Sequence, residues 1–343
     1  MNTPKIQFLG AAGTVTGSRF LLTCGNTKVM VDAGLFQGLK ELRLKNWNPL
    51  GVDPSSLSAV VLTHAHLDHC GYIPKLVKDG FAGKIHMTKY TAKLAEVILR
   101  DSARIQTEDA KYAAKEKFSK HNPPKALYEE PDAAKSFEQF AVEPFNERVQ
   151  VAEETFVTFH PSGHILGAAF VEVEFFGKRI LFTGDMGRPN HPLLNAPDRL
   201  PAGKFDAIVT ESTYGDREHV QSTTNFEDAI NQTIDRGGSV LIPAFAVDRT
   251  EIILVQLREM MENGVIRRVP VYADSPMALK ALAFYRQAID SSSPEIRPEI
   301  IEKWKNKDPF STFDHSFRTL ENALDFAQNL GRGTVHLGDT ARH

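Results

Sequence analysis

The chain has 343 residues, long for one domain and comfortable for two. Apolar residues make up 42% and charged residues 24%, an ordinary composition for a soluble globular protein with a core of normal size. A formal net charge of −3 excludes bulk charge as a reason to expect a nucleic-acid partner, although local basic patches can hide in a neutral total.

Two cysteines, Cys24 and Cys70, are too few and too far apart for a disulfide framework, and they fit a reducing compartment. The opening MNTPKIQFLG has no basic region followed by a long apolar run. No stretch approaches about 18 consecutive apolar residues, so neither a secretory signal nor a membrane span is predicted. The expected location is the cytoplasm.

In chain order, Lys5–Leu9 reads as a short strand, followed by the Gly- and Ser/Thr-rich loop GAAGTVTGS. Arg19–Thr23 and Lys28–Val31 read as two strands joined by a turn at CGN, the second ending in Asp32-Ala-Gly34. The β-branched run Leu57–Leu62 ends at the segment His64-Ala-His66-Leu-Asp68-His69. A helix is predicted from Gly71 to about Asp79, then a strand at Ile85–Met87. Thr88 or Thr91 can cap the helix that runs towards Arg104. Residues 105 to about 140 read as exposed helices interrupted by HNPP. Strands return at Thr155–Phe159, Ala169–Phe175 and Ile180–Phe182. From Phe205 the rhythm becomes βαβ, with strands at Ala207–Val209, Ser239–Ile242 and Val269–Ala273 and helices near 225–236 and 249–262. These elements predict an α/β layered fold with domains at 1–204 and 205–343.

The His-rich segment follows a buried strand, so it sits at a strand's carboxyl end, where ligands gather in α/β sheets. Three imidazoles and a carboxylate within six residues are costly to bury without a partner, and they match the preferences of zinc, iron or manganese. In a loop, His64 and His66 can face one metal while Asp68 and His69 face another. His164 in HPSGHILGA and Asp185 in LFTGDMG also follow strands, in Gly-flanked turns. Asp32 is placed to hydrogen-bond an imidazole and fix its tautomer.

Together these residues resemble the metallo-β-lactamase fold superfamily over about residues 5–200. The resemblance implies an αββα sandwich with two zinc ions at one edge of the sheets. It implies that His64, His66 and His164 hold one metal, that Asp68 and His69 hold the second, and that Asp185 bridges them. The phrases GAAGTVTGSRFLL, VDAGLFQG, TGDMGR, Thr210-Glu211-Ser-Thr-Tyr214-Gly215, LIPAFAVDRTEIIL and VYADSPMA are similar to the β-CASP nuclease branch, which inserts an α/β cap domain. That branch implies a zinc-dependent ribonuclease acting on single-stranded RNA through a two-metal bridging hydroxide, with Asp68 and Glu211 catalytic and Mn²⁺ as an alternative metal.

The family pattern has two further histidines past residue 343, one near the leaving group and one completing the second metal site. The likeness fades after Asp308-Pro309-Phe310, so the second domain is expected to be incomplete or altered after about residue 314. His315, His336 and His343 qualify by residue type alone, and Asp248 stands where the family usually has glycine. The expectation is a C-terminally truncated member with a weaker second metal site and reduced activity, whose exposed sheet edges favour a homodimer. Two other readings fit the same residues: a small ester or thioester hydrolase, and a non-catalytic homologue that binds RNA or a nuclease.

Overall fold

β-Branched and aromatic runs build two sheets in the first part of the chain. β1 (Lys5–Phe8), β2 (Phe20–Cys24), β3 (Thr27–Val31), β4 (Ala59–Val61), β5 (Lys84–Thr88) and β6 (Phe140–Glu143) lie side by side in chain order. β1 to β3 pair antiparallel and β3 to β6 parallel. The second sheet has the order β11-β10-β9-β8-β7. Its strands are β7 (Arg148–Ala152), β8 (Thr155–Pro161), β9 (Ala169–Phe175), β10 (Lys178–Phe182) and β11 (Ala207–Val209), antiparallel except for the β10–β11 pair. The computed structural model describes residues 3–117, 121, 123–217, 225–305, 307–310 and 335–339.

Alternation decides which faces meet. In β8, Thr155, Val157 and Phe159 are buried while their neighbours are half-buried. Val157 and Phe159 join Leu22, Val29, Val31 and Val61 of the first sheet and Val171, Val173 and Phe182 of the second in one core. Each fully buried aliphatic or aromatic side chain there contributes about 1.5–3 kcal/mol. The opposite face of the second sheet carries charge pairs, Arg148 with Glu174 and Arg179 with Glu172.

Among the described residues, the α-helices that accompany these sheets are α1 (Lys40–Lys45), α2 (Leu67–Cys70), α3 (Ile73–Lys78), α4 (Lys89–Lys115) and α5 (Glu130–Phe137). α4 contacts β5 and β6, and it buries Tyr90, Leu94 and Ile98, spaced by one helical turn. It runs unbroken to Lys115, beyond the predicted end near Arg104, because no glycine or proline interrupts it before HNPP. Thr88 occupies its N-cap without capping it. The Thr88 hydroxyl donates instead to the Gly167 carbonyl at 2.5 Å.

The second unit has a parallel sheet in the order β12-β14-β13, from β12 (Val240–Ala244), β13 (Val271–Asp274) and β14 (Val335–Asp339). Its helices are α6 (Phe226–Asp235), α7 (Arg249–Glu262), α8 (Pro276–Asp290) and α9 (Pro298–Trp304). The two units are Met1–His191 with Ala196–Thr213, and Pro192–Asn195 with Tyr214–His343. Their joint lies later than the expected 204/205, because β11 pairs with β10 of the first unit. In β14, His336 is buried and stacks on Tyr272 with ring centroids 5.1 Å apart. His315 and His343 lie outside the described residues. Among the described residues no helix is long and apolar enough to cross a membrane.

Candidate metal centre

Four turns at the carboxyl ends of strands supply the centre. β3 runs into Asp32, β4 into Thr63–His69, β8 into Ser162–His164, and β10 into Thr183–Asp185. The turns are packed backbone against backbone, which only glycine permits at two crossings. A Cβ on Gly34 would stand 1.5 Å from the Asp68 carbonyl oxygen, and one on Gly187 would stand 1.9 Å from that of Gly163.

The segment carrying Asp68 and His69 is not a loop. Leu67–Cys70 is one helical turn with His66 at its N-cap, and the His66 carbonyl accepts from the amides of His69 and Cys70 at 2.9 Å. His66 itself is extended (φ −61°, ψ 147°). The change from extended to helical backbone, rather than loop freedom, turns His66 away from His69.

His64, His66, His164 and Asp185 converge, with one ligand atom from each all within 4.8 Å of one another. His66 Nδ1 lies 3.1 Å from both His64 Nε2 and His164 Nε2. Asp185 Oδ2 lies 3.4 Å from His164 Nε2 and 3.7 Å from His64 Nε2. A tetrahedral zinc with bonds of about 2.0–2.1 Å separates its donors by about 3.3 Å, so this donor set fits such an ion. The other oxygen of Asp185 lies 3.3 Å from His69 Nε2, which is 3.9 Å from Asp68 Oδ2 and 3.4 Å from Ser18 Oγ. Asp185 thus touches both halves of the expected ligand set. The half formed by Asp68 and His69 is the looser of the two.

Asp32 anchors the arrangement from behind. Its carboxylate accepts from the Thr63 amide at 2.8 Å, the Thr63 hydroxyl at 2.9 Å and His69 Nδ1 at 2.8 Å. The Thr63 hydroxyl also lies 3.1 Å from His64 Nδ1. With the hydroxyl hydrogen given to Asp32, the remaining lone pairs accept the Nδ1 proton of His64, which leaves Nε2 bare towards Asp185. Asp32 itself has left-handed backbone (φ +56°), tolerated because these bonds fix it.

Burial, with His69 beside it, holds the His64 imidazole well below its ordinary value, so His64 is neutral and free to ligate. Burial and His164 lower His66 to about 4. Burial acts the same way on His69, but the carboxylates of Asp32, Asp185 and Asp68 outweigh it and raise His69 well above its ordinary value. For Asp185, burial would raise the carboxyl, yet His64, His69 and His164 hold it well below the usual carboxylate range.

Glu211 is exposed and tied to the same loop. Its carboxylate accepts from the Met186 amide at 3.2 Å, and its own amide donates to Thr183 Oγ1 at 3.3 Å. Thr63 and Ser18 escaped the sequence reading. The first had a signal, a hydroxyl residue between a buried strand and the His cluster. Ser18 had none, because its approach to His69 depends on the Gly34 crossing.

The Metallo-beta-lactamase superfamily model matches residues 13–230. The chain is 33% identical over 309 residues to Ribonuclease TTHA0252 of Thermus thermophilus, covering 89% of this chain and 65% of that protein. It is 32% identical over 335 residues to cleavage and polyadenylation specificity factor subunit 3-I of Arabidopsis thaliana, covering 95% and 45%. To Endoribonuclease YSH1 of Saccharomyces cerevisiae it is 28% identical over 342 residues, covering 96% and 42%. The chain therefore spans about two thirds of the first relative and under half of the other two. A crystal structure of an Enterococcus faecalis protein of unknown function shares the fold, with a TM-score of 0.51 at 14% identity, covering 99% of this chain and 77% of that one.

Proposed function

The chain belongs to the metallo-β-lactamase superfamily, on its β-CASP RNA-processing branch, and from that premise we propose that it is a metal-dependent nuclease hydrolysing phosphodiester bonds of single-stranded RNA. The observation that carries this reading is the convergence of three imidazole nitrogens and one carboxylate oxygen within 4.8 Å, in a chain whose relatives are named ribonuclease and endoribonuclease.

In this reading His64, His66, His164 and Asp185 would hold the first zinc ion. Asp68, His69 and Asp185 would hold another, more weakly because the set is smaller and looser; Mn²⁺ is the alternative metal. Divalent ions held there supply Lewis-acid polarisation of the phosphodiester and a more acidic water. The protein's own groups do the rest. Asp32 holds the Nδ1 proton of His69 and keeps Nε2 aimed at Asp185. Thr63 relays the same control to His64. The Asp68 carboxylate accepts the proton of the attacking water, and the leaving oxygen takes its proton from solvent water beside the Glu211 carboxylate, which the Met186 amide braces. The second unit, with its parallel three-stranded sheet, is assigned as the β-CASP domain that selects the substrate.

The test is incubation of the purified chain with labelled single-stranded RNA, and separately with a generic thioester, in zinc or manganese. RNA should be cut, and His66→Ala should lower the rate at least about a thousandfold. Thioester turnover without RNA cleavage, or RNA retention without turnover, would overturn the reading.

A further inference from the structure

α1 buries none of its side chains, although it is tied closely to the site. Asn46, just past its end, accepts from the Phe36 amide and from Arg19 Nη2, each at 2.9 Å, and donates back to the Phe36 carbonyl at 2.8 Å. The buried Arg19 also donates from Nε to the Gly34 carbonyl at 2.7 Å. The helix is therefore clamped to the turn that crosses Asp68. What it presents outward is cationic. Lys40, Arg43 and Lys45 stand against the single carboxylate Glu41, in a chain whose formal net charge is −3.

None of these three cations, nor Lys125, has an ion-pair partner among the described residues, whereas Arg148 and Arg179 on the second sheet are both paired to glutamates. Lys45 Nζ lies 5.3 Å over the Phe36 ring. That ring packs against Gly17, where an added Cβ would stand 2.6 Å from it. The next residue, Ser18, reaches His69 Nε2 at 3.4 Å. A short path of touching groups therefore links Lys45 to the metal centre. On the far side of Asn46, the half-buried Trp47 meets the His121 ring at 4.2 Å between centroids, with Lys125 Nζ 5.8 Å above it.

Lys40 and Arg43 one helical turn apart, Lys45 on the helix's other flank over Phe36, and a half-buried indole just past the helix end match the chemistry of a single strand: phosphates for the cations, a base for the ring. Six helical residues are too few for a membrane-surface helix. We propose that α1 and Trp47 form a docking strip for single-stranded RNA beside the metal centre, with Lys40, Arg43 and Lys45 on backbone phosphates and Trp47 under a base. The inference rests on the nuclease reading and names where that substrate lies.

The zinc-loaded full chain is mixed by stopped flow with single-stranded oligoadenylate, and tryptophan emission is followed before turnover. The other tryptophan, Trp304, is 1% exposed, so a change reports on Trp47. Saturable quenching is expected, kept in Trp304→Phe and absent in Trp47→Phe. Replacing Lys40, Arg43 and Lys45 together by alanine should raise Kd at least about tenfold. It should also flatten the dependence of log Kd on log salt by about 2, at about 0.7 per phosphate contact on a single strand. Because α1 buries no side chain, that variant should melt like the parent, which circular dichroism checks.

An unchanged Kd in the triple variant overturns the strip, as does RNA binding seen by anisotropy without a change in Trp47 emission. Equal quenching by heparin would mark an unspecific polyanion patch and overturn it too. If RNA is still cut in any of these cases, the nuclease reading stands while the strip falls; if the chain neither binds nor cuts RNA, both fall.

Discussion

In the first unit the buried Asp32 carboxylate accepts hydrogen bonds from Thr63 N, Thr63 Oγ1 and His69 Nδ1, whereas in the second the equally buried Glu251 carboxyl has no side-chain hydrogen-bond partner among the described residues, only the backbone of its own helix start beside it. Both sit where backbone departs from the ordinary. Asp32 has φ +56°, and Glu251 lies in the first turn of α7, directly after Asp248 at φ +72°. The outcomes differ because Asp32 faces the His69 imidazole, which carries a proton towards it, while Glu251 meets only backbone amides at its helix start and the negative Asp248. Burial, reinforced by Asp248, pushes the Glu251 carboxyl well above its ordinary value. A buried carboxylate in a completed network positions ligands; one without a network holds its own proton.

The largest effect that would break this contrast is expected at Asp32. Asp32→Ala leaves a buried His69 without its counter-charge and Thr63 without its acceptor. It should destabilise the protein by about 3–5 kcal/mol, as expected when one partner of a buried pair is removed. Metal affinity should fall by about 10- to 100-fold with it. Denaturant melts and competition with a chromophoric chelator measure the two. Asp32→Asn, which keeps an acceptor for Thr63 but not the charge, should lose less stability. An Asn variant as damaged as the Ala variant would mean that the carboxylate's charge, and not the bond network, carries the effect.

Glu251→Gln addresses the other half of the comparison. A carboxyl whose folded value is raised binds its proton more tightly folded than unfolded. Its favourable contribution is complete below about pH 4.3, the ordinary glutamate value, and is lost as pH rises through the folded value. The wild type should therefore lose stability on going from pH 4 to pH 8 through this group, and Glu251→Gln should not. The gap at pH 8 should be about 1–3 kcal/mol, the usual scale for an unmatched buried polar group. Parallel melting curves at the two pH values would sink the assignment.

The same contrast explains what could be read in advance. The strands that feed the metal centre were legible because alternation and β-branched runs announce them: Leu57–Leu62 contains β4, and Thr155–Phe159, Ala169–Phe175 and Ile180–Phe182 fall within β8, β9 and β10. β6 and β7 were not legible, being edge strands with half-exposed faces and no apolar run. The helical turn at Leu67–Cys70 was masked by the histidines themselves, whose residue types argue ligand but not backbone shape. The positions of Ser18 and Glu211 depend on long-range pairings, β11 with β10 and Gly34 against Asp68, that no local pattern encodes.

The smallest effect is expected at Asp248, and it separates strain from bonding. At φ +72° and ψ −55°, with the Arg249 amide donating to the Val247 carbonyl at 3.0 Å, Asp248 is the centre of a γ-turn, strained by about 1–2 kcal/mol for a non-glycine residue. In return, Asp248 Oδ1 accepts from the Tyr285 hydroxyl at 2.9 Å, a bond worth about 0.5–1.5 kcal/mol. Asp248→Gly removes both, so its stability should lie within about 1 kcal/mol of the wild type. Asp248→Ala loses the bond and keeps the strain, and should be the less stable of the two by about 1 kcal/mol. Both variants also remove a negative charge beside Glu251, so both should show a shallower loss of stability between pH 4 and pH 8. If glycine and alanine melt together, the left-handed backbone at residue 248 carries no strain, and the difference between the two units reduces to hydrogen bonding alone.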